Sequence, residues 1–222
     1  MKGHAIYFGD VHAGVVAVRE GGRTRIVAQG LATPEGIVPR DTGHLYVVEQ
    51  GRNRLDLVTI RTGRVRVLQY FRNTTGQEGV DGIGRGPDGS LLIPDSPYGS
   101  LWRRDRNGSW HLLHAGFGRP VDALRYRGGI AVADENDNAV WLLRNGHVTR
   151  LATVPTPDDV AILRGHLYAV TLGDGGLWEI RPRVVRLPIS FRDPQGLAVQ
   201  GRVLIVADST LNALYRVSLA GC

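Results

Sequence analysis

One pattern returns six times along the 222-residue chain and restricts the fold more than any other feature. An apolar strand closing on an acidic or small polar residue recurs as AIYFGD, LYVVE, LLIPD, IAVAD, LYAVT and LIVAD. These end at Asp10, Glu49, Asp95, Asp134, Thr171 and Asp208, in steps of 39, 46, 39, 37 and 37 residues. Six residues after each end an apolar residue opens another strand: Val16, Leu55, Leu101, Val140, Leu177 and Leu214. Two residues before that stands Gly14, Asn53, Gly99, Asn138, Gly175 or Asn212, residue types that tolerate the left-handed backbone of a tight turn. Each unit is therefore a hairpin.

A short strand precedes five of the hairpins (PEGIV, VDGIG, VDALR, DDVAI, PQGLA), and an alternating strand follows five of them (RTRIV, RVRVL, SWHLL, HVTRL, RVVRL). Four strands at a period near forty describe the blade of a β-propeller, innermost strand at the central tunnel and fourth at the rim. The expectation is an all-β, six-bladed β-propeller of antiparallel four-stranded blades, one domain over 1–222, with first and last blades incomplete and about 22 strands. Arginines along the fourth strands discourage edge-to-edge aggregation.

In such a blade the starts of the innermost strands and the turns between second and third strands share one face, here called the top. Aligning the repeats on their acids places Glu35, Asp81, Asp122, Asp159 and Gln195 at one tunnel mouth. Four carboxylates brought together raise each other's pKa unless something positive neutralises them. A divalent metal, calcium first, held by Glu35, Asp81, Asp122 and Asp159 would do so. The alternative is that these side chains cap turns by accepting backbone N–H bonds, as the second acidic series ending at Asp208 is expected to do. The top turns add His12, Arg52, Tyr98, Glu135, Asp137 and Asp174, which vary between blades as ligand-binding loops on a constant scaffold do. The extra residues of FRNTTGQEGV also fall on top, as a surface insertion or a partial lid.

The opposite face carries Arg40, Arg85, Arg127, Arg164 and Arg202, with further arginines such as Arg104, Arg106 and Arg144 around the outer hairpins. Lys2 is the one lysine, so arginine supplies the formal charge of +6 and the chain should be electrically two-faced. Nucleic acid is the weaker partner reading, because Trp102, Trp141, Trp178 and Tyr215 share one third-strand position suited to blade-to-blade packing instead of base stacking. A small-molecule ligand or a protein is preferred.

No apolar run reaches the about 20 residues that a membrane-spanning helix needs, so no membrane role is expected. As written the chain reads as soluble and cytoplasmic; a secreted protein with its leader removed would read the same. One cysteine, Cys222, excludes internal disulfides and cysteine-paired metal sites. Phosphate-loop, dinucleotide, HExxH and GxSxG motifs are absent. His4, His44 and His166 share a repeat position and read as turn or edge residues.

The segment DPQGLAVQGRVLIVADSTLNALYRV resembles an NHL repeat, and VDGIGRGPDGSLLIPDSPYGSLWR resembles the gluconolactonase and regucalcin-like propellers, with strictosidine synthase-like proteins as further relatives. The lactonase resemblance implies a metal at the tunnel mouth, held by a glutamate of an EG motif, which Glu35-Gly36 matches, by polar ligands where Asp81 and Asp122 stand, and by a later aspartate that is also the base. Gln195 occupies one place for that aspartate and is no base; Asp159 is the replacement. Two functions follow. One is a metal and small oxygen-rich ligand at the acidic mouth, as in a lactone or ester hydrolase with Asp159 or Asp122 taking the proton. The other is a non-enzymatic NHL-like interaction scaffold.

Overall fold

The computed structural model describes residues 5–72 and 79–219. Their strands form six antiparallel sheets, one per repeat. Blade one holds β1 (Ile6–Asp10), β2 (Val15–Glu20) and β3 (Arg23–Gln29), and blade two β4 (Pro34–Asp41), β5 (His44–Glu49), β6 (Arg54–Thr59) and β7 (Val65–Tyr70). Blade three holds β8 (Gly84–Arg85), β9 (Leu91–Asp95), β10 (Ser100–Arg104) and β11 (Trp110–Ala115). Blade four holds β12 (Pro120–Tyr126), β13 (Gly129–Asp134), β14 (Ala139–Arg144) and β15 (His147–Thr153). Blade five holds β16 (Pro157–Leu163), β17 (His166–Thr171), β18 (Gly176–Arg181) and β19 (Val185–Ser190), and blade six β20 (Pro194–Gln200), β21 (Val203–Asp208) and β22 (Ala213–Val217). This is the expected six-bladed propeller, with 22 strands among the described residues. Among those residues no helix is long and apolar enough to cross a membrane.

The hairpins form because each turn has its left-handed residue in place: Gly14, Asn53, Gly99, Asn138, Gly175 and Asn212 all take φ between 48° and 63°. In five of them that residue's N–H closes the turn on the carbonyl three residues back, from Asn53 to Gln50 through Asn212 to Ser209. In blades two to five the middle strands are apolar on both sides because each of these sheets is covered by a neighbour on each face; β13 is buried from Ile130 to Asp134. Successive blades clamp five apolar cores. Leu45, Val47 and Val16 typify the first, and Tyr168, Leu197 and Leu204 the last. Third-strand aromatics behave as expected in part. Trp141 and Trp178 pack on inter-blade cores, whereas Tyr215 is exposed at the rim against Phe191.

One strand departs from expectation. In VDGIG only Gly84 pairs as strand, so β8 is two residues long. The chain here presses against blade four. An added Cβ at Gly84 would stand 1.6 Å from the Ala123 carbonyl oxygen, a distance only glycine accommodates. The insertion read as a surface loop or lid lies, over residues 73–78, outside the described residues.

Candidate functional site at the tunnel mouth

The second acidic series folds the top loops of blades two, four and six. Asp134 accepts the N–H groups of Gly118 (2.8 Å), Arg119 (2.8 Å) and Asp137 (3.2 Å), Asp208 those of Arg192 and Leu211, and Glu49 that of Ala32. These acids are turn caps, as expected. The residue after each acid donates its N–H to the carbonyl just ahead of the innermost strand: Gln50 to Thr33, Glu135 to Arg119, Leu172 to Thr156, Ser209 to Asp193. Hairpin turns and inner-strand starts therefore share the top.

Strand pairing corrects the acidic ring by one residue. Pro34, Pro120, Pro157 and Pro194 face Glu49, Asp134, Thr171 and Asp208, and the register slips by one immediately afterwards in each blade. The slip is a β-bulge, which leaves one residue unpaired and re-aims its side chain. Counting from the prolines, Glu35, Val121, Asp158 and Gln195 are equivalent, and Gly36, Asp122, Asp159 and Gly196 form the next position. Gly36 donates its N–H to the Asp81 carbonyl and Gly82 to the Val121 carbonyl, which puts Asp81 in the first set. The residues expected at one ring position therefore occupy two.

The position of Asp122 and Asp159 faces the following blade. Asp122 Oδ2 accepts the Val160 N–H at 3.3 Å, and Asp159 Oδ2 accepts the Leu197 N–H at 2.6 Å, each from the residue after its equivalent in the next blade. The two carboxyls also hydrogen-bond each other. Burial holds both above the usual carboxylate range; the Asp122 charge and the shared bond push Asp159 further up, whereas the same bond draws Asp122 down against its burial. They staple blade four to five and five to six.

Asp158 is the different one. Burial first, then the charges of Asp81, Asp159, Glu35 and Asp122, push its carboxyl well above the ordinary range. Carboxylates from blades two, three, four and five act on it together, which requires that it sit near the axis. The mouth also holds a cation that the repeat pattern did not disclose. Arg119 pairs with Asp81 at 3.1 Å and with Glu135, while Asp81 takes a second bond from Gln50 at 3.0 Å. The signal for both residues lay in the sequence. The prolines give the frame that selects Asp158, and in that frame Arg119 stands where sister blades carry Thr33, Thr156 and Asp193.

As arranged, the mouth carboxyls are engaged with other protein groups. Among the described residues no three His, Cys, Asp or Glu side chains converge on one point. Asp81 is engaged by Gln50 and Arg119, and Asp122 and Asp159 by each other and by amides.

The other top residues separate into rim and scaffold. His12 and Asp137 are exposed; burial, with the charge of Asp134 behind it, raises Asp137. Tyr98 lies under the Arg72 guanidinium at 5.5 Å. Arg52 is tied to Glu49 (2.6 Å) and to the Gly30 carbonyl. Asp174 is an anchor: it accepts from Thr171, Arg186 (2.8 Å) and the Gly176 N–H, and against its partial burial the bonds from Thr171 and Arg186 lower its pKa.

No family model matches the chain, and no curated protein matches it. Solved structures do. Over 97% of this chain and 77% of the other, it superposes on selenomethionine-substituted virginiamycin B lyase from Staphylococcus aureus with TM-score 0.74 and 16% identity. A streptogramin B lyase matches with TM-score 0.72 and 13% identity, covering 98% of this chain and 80% of that one. A protein described as a gluconolactonase matches with TM-score 0.74 and 19% identity, covering 93% and 82%. At such identities the likeness speaks for the fold.

Proposed function

We infer that this propeller binds a small oxygen-rich ligand of the lactone or ester class at its top tunnel mouth, and that Asp158 handles the proton when the ester bond is opened. The observation that carries this reading is the environment of Asp158, a carboxyl near the axis whose proton affinity is raised by burial and by four neighbouring carboxyls. A carboxyl whose proton affinity is raised is a stronger base once ionised, and the acid it then becomes can return the proton. In hydrolysis, ionised Asp158 takes a proton from water as the water oxygen bonds to the carbonyl carbon. The bond from that carbon to the leaving oxygen then breaks, and that oxygen takes the proton back from Asp158. Arg119, held between Asp81 and Glu135, supplies positive charge for the carbonyl oxygen. His12, Arg52, Tyr98, Asp137 and Asp174 frame the rim. The names of the structural neighbours, a gluconolactonase and lyases, support a lactone-class ligand and leave open whether the bond is cut by water or by elimination.

A divalent cation, calcium first, is the second reading. It is favoured by the Glu35-Gly36 motif and by the cost of crowding carboxylates at one mouth. A lactone and ester screen run in chelator and again with calcium tests both. Turnover in chelator, rising with pH as Asp158 ionises and lost in Asp158→Asn, is the expected result. Turnover unchanged in Asp158→Asn rejects the role of that residue, and turnover only with calcium moves the chemistry to the metal. A silent screen favours the non-enzymatic scaffold.

A further inference from the structure

A cluster of arginines lies at the opposite end of the molecule. Arg40 near the end of β4, Arg85 at the end of β8, Arg104 at the end of β10 and Arg106 in the following turn line one cleft of about 230 Å³ between blades two and three, with Tyr46, Gly89, Leu91 and Asp105. Each guanidinium is positioned. Arg40 lies over the Tyr46 ring at 6.0 Å and pairs loosely with Asp41 at 3.7 Å. Arg85 donates to the Pro39 carbonyl, tying blade three to blade two. Arg104 lies over Trp110 at 5.9 Å, and Arg106 lies against Gly89, where an added Cβ would stand 2.5 Å from its Nη2. The one carboxylate in the lining, Asp105, is already taken by Arg103 at 2.9 Å and His111 at 2.8 Å.

Four guanidiniums in one cleft repel one another, and an anion that several can share removes that cost. A single carboxylate is satisfied by one guanidinium fork; a phosphate or diphosphate offers enough oxygens and charge for several. The cleft is smaller than the about 300–1,000 Å³ of pockets for drug-sized organic ligands, which suits one or two phosphate groups and not a whole nucleotide. We propose that this cleft binds the phosphate groups of a small phosphorylated molecule.

The test is calorimetric titration of the full chain with inorganic pyrophosphate and with orthophosphate at a fixed ionic strength of about 0.15 M. The expected result is saturable binding, tighter for pyrophosphate, weakened at least about tenfold in Arg85→Gln/Arg106→Gln and less than about twofold in Arg127→Gln/Arg202→Gln, which removes the same charge from the same face elsewhere. Because Arg85 also bridges two blades, Arg104→Gln, which should weaken binding while melting recorded without ligand stays at the parent value, separates loss of the site from loss of the fold. Absence of binding overturns the proposal. So does equal weakening in the two double variants, which would mean diffuse charge. Capture on phosphatidate-containing vesicles without affinity for pyrophosphate overturns it in favour of a membrane surface.

Discussion

At the scale of single residues, the buried carboxyls decide how stability varies with pH. Burial pushes Asp95 up to about 6, and its Oδ1 has no hydrogen-bond partner among the described residues. Burial, then the contact with Glu49, pushes Asp56 up to about 7. An unfolded chain gives up these protons near pH 4, whereas the folded chain keeps them longer. Their contribution is therefore complete below about pH 4 and is lost as pH rises through 6 and 7. Asp95→Asn removes part of that loss. Relative to the parent it should gain about 1–3 kcal/mol at pH 7.5 and little at pH 4, as read by urea unfolding. The same scale shows how far the site could be read. The mouth carboxylates were recognisable as residue types, but a one-residue bulge decided which of two adjacent aspartates, Asp158 or Asp159, meets the shared charge and which meets the next blade.

At the scale of elements, neighbouring inner strands are joined in two ways that depend on one position. Where it is glycine, at Gly36 and Gly82, backbone N–H meets backbone carbonyl; where it is aspartate, at Asp122 and Asp159, the side chain reaches the next amide. Close approach is tightest at β8, which is why a five-residue strand expected from sequence shrinks to two. Gly84→Ala should cost about 2–4 kcal/mol, because the Cβ would meet backbone and not a movable side chain. Thermal melting checks it, and a change within experimental error would show that β8 stands further from blade four. The hairpins were legible because they are local: turn residues and alternating strands lie within twenty residues of one another.

At the scale of the molecule, five inter-blade cores run from blade one to blade six, and no apolar core cluster among the described residues joins blade six back to blade one. β1 is half-buried throughout, and β22 borders a rim cleft of about 600 Å³ lined by residues including Ile189, Phe191, Leu211 and Tyr215. Local stability follows burial of apolar contacts. Amide exchange should therefore be fastest among the strands in β1 and β22 and slowest in β9 and β13. Equal protection across all six blades would mean that the ring is closed as firmly at this seam as elsewhere.

The sequence by itself determined the repeat, the six hairpins with their left-handed turn residues, the caps of the second acidic series and the separation of acids from arginines between the two ends. Each of these depends on composition and short-range spacing. Only the tertiary structure decided that Asp122 and Asp159 staple blades, that Asp158 stands among the carboxylates, that Arg119 crosses to Asp81, and that four arginines share one cleft. Those are meetings between blades, and a repeat read along the chain carries no information about which side chains neighbouring copies bring within a few ångströms.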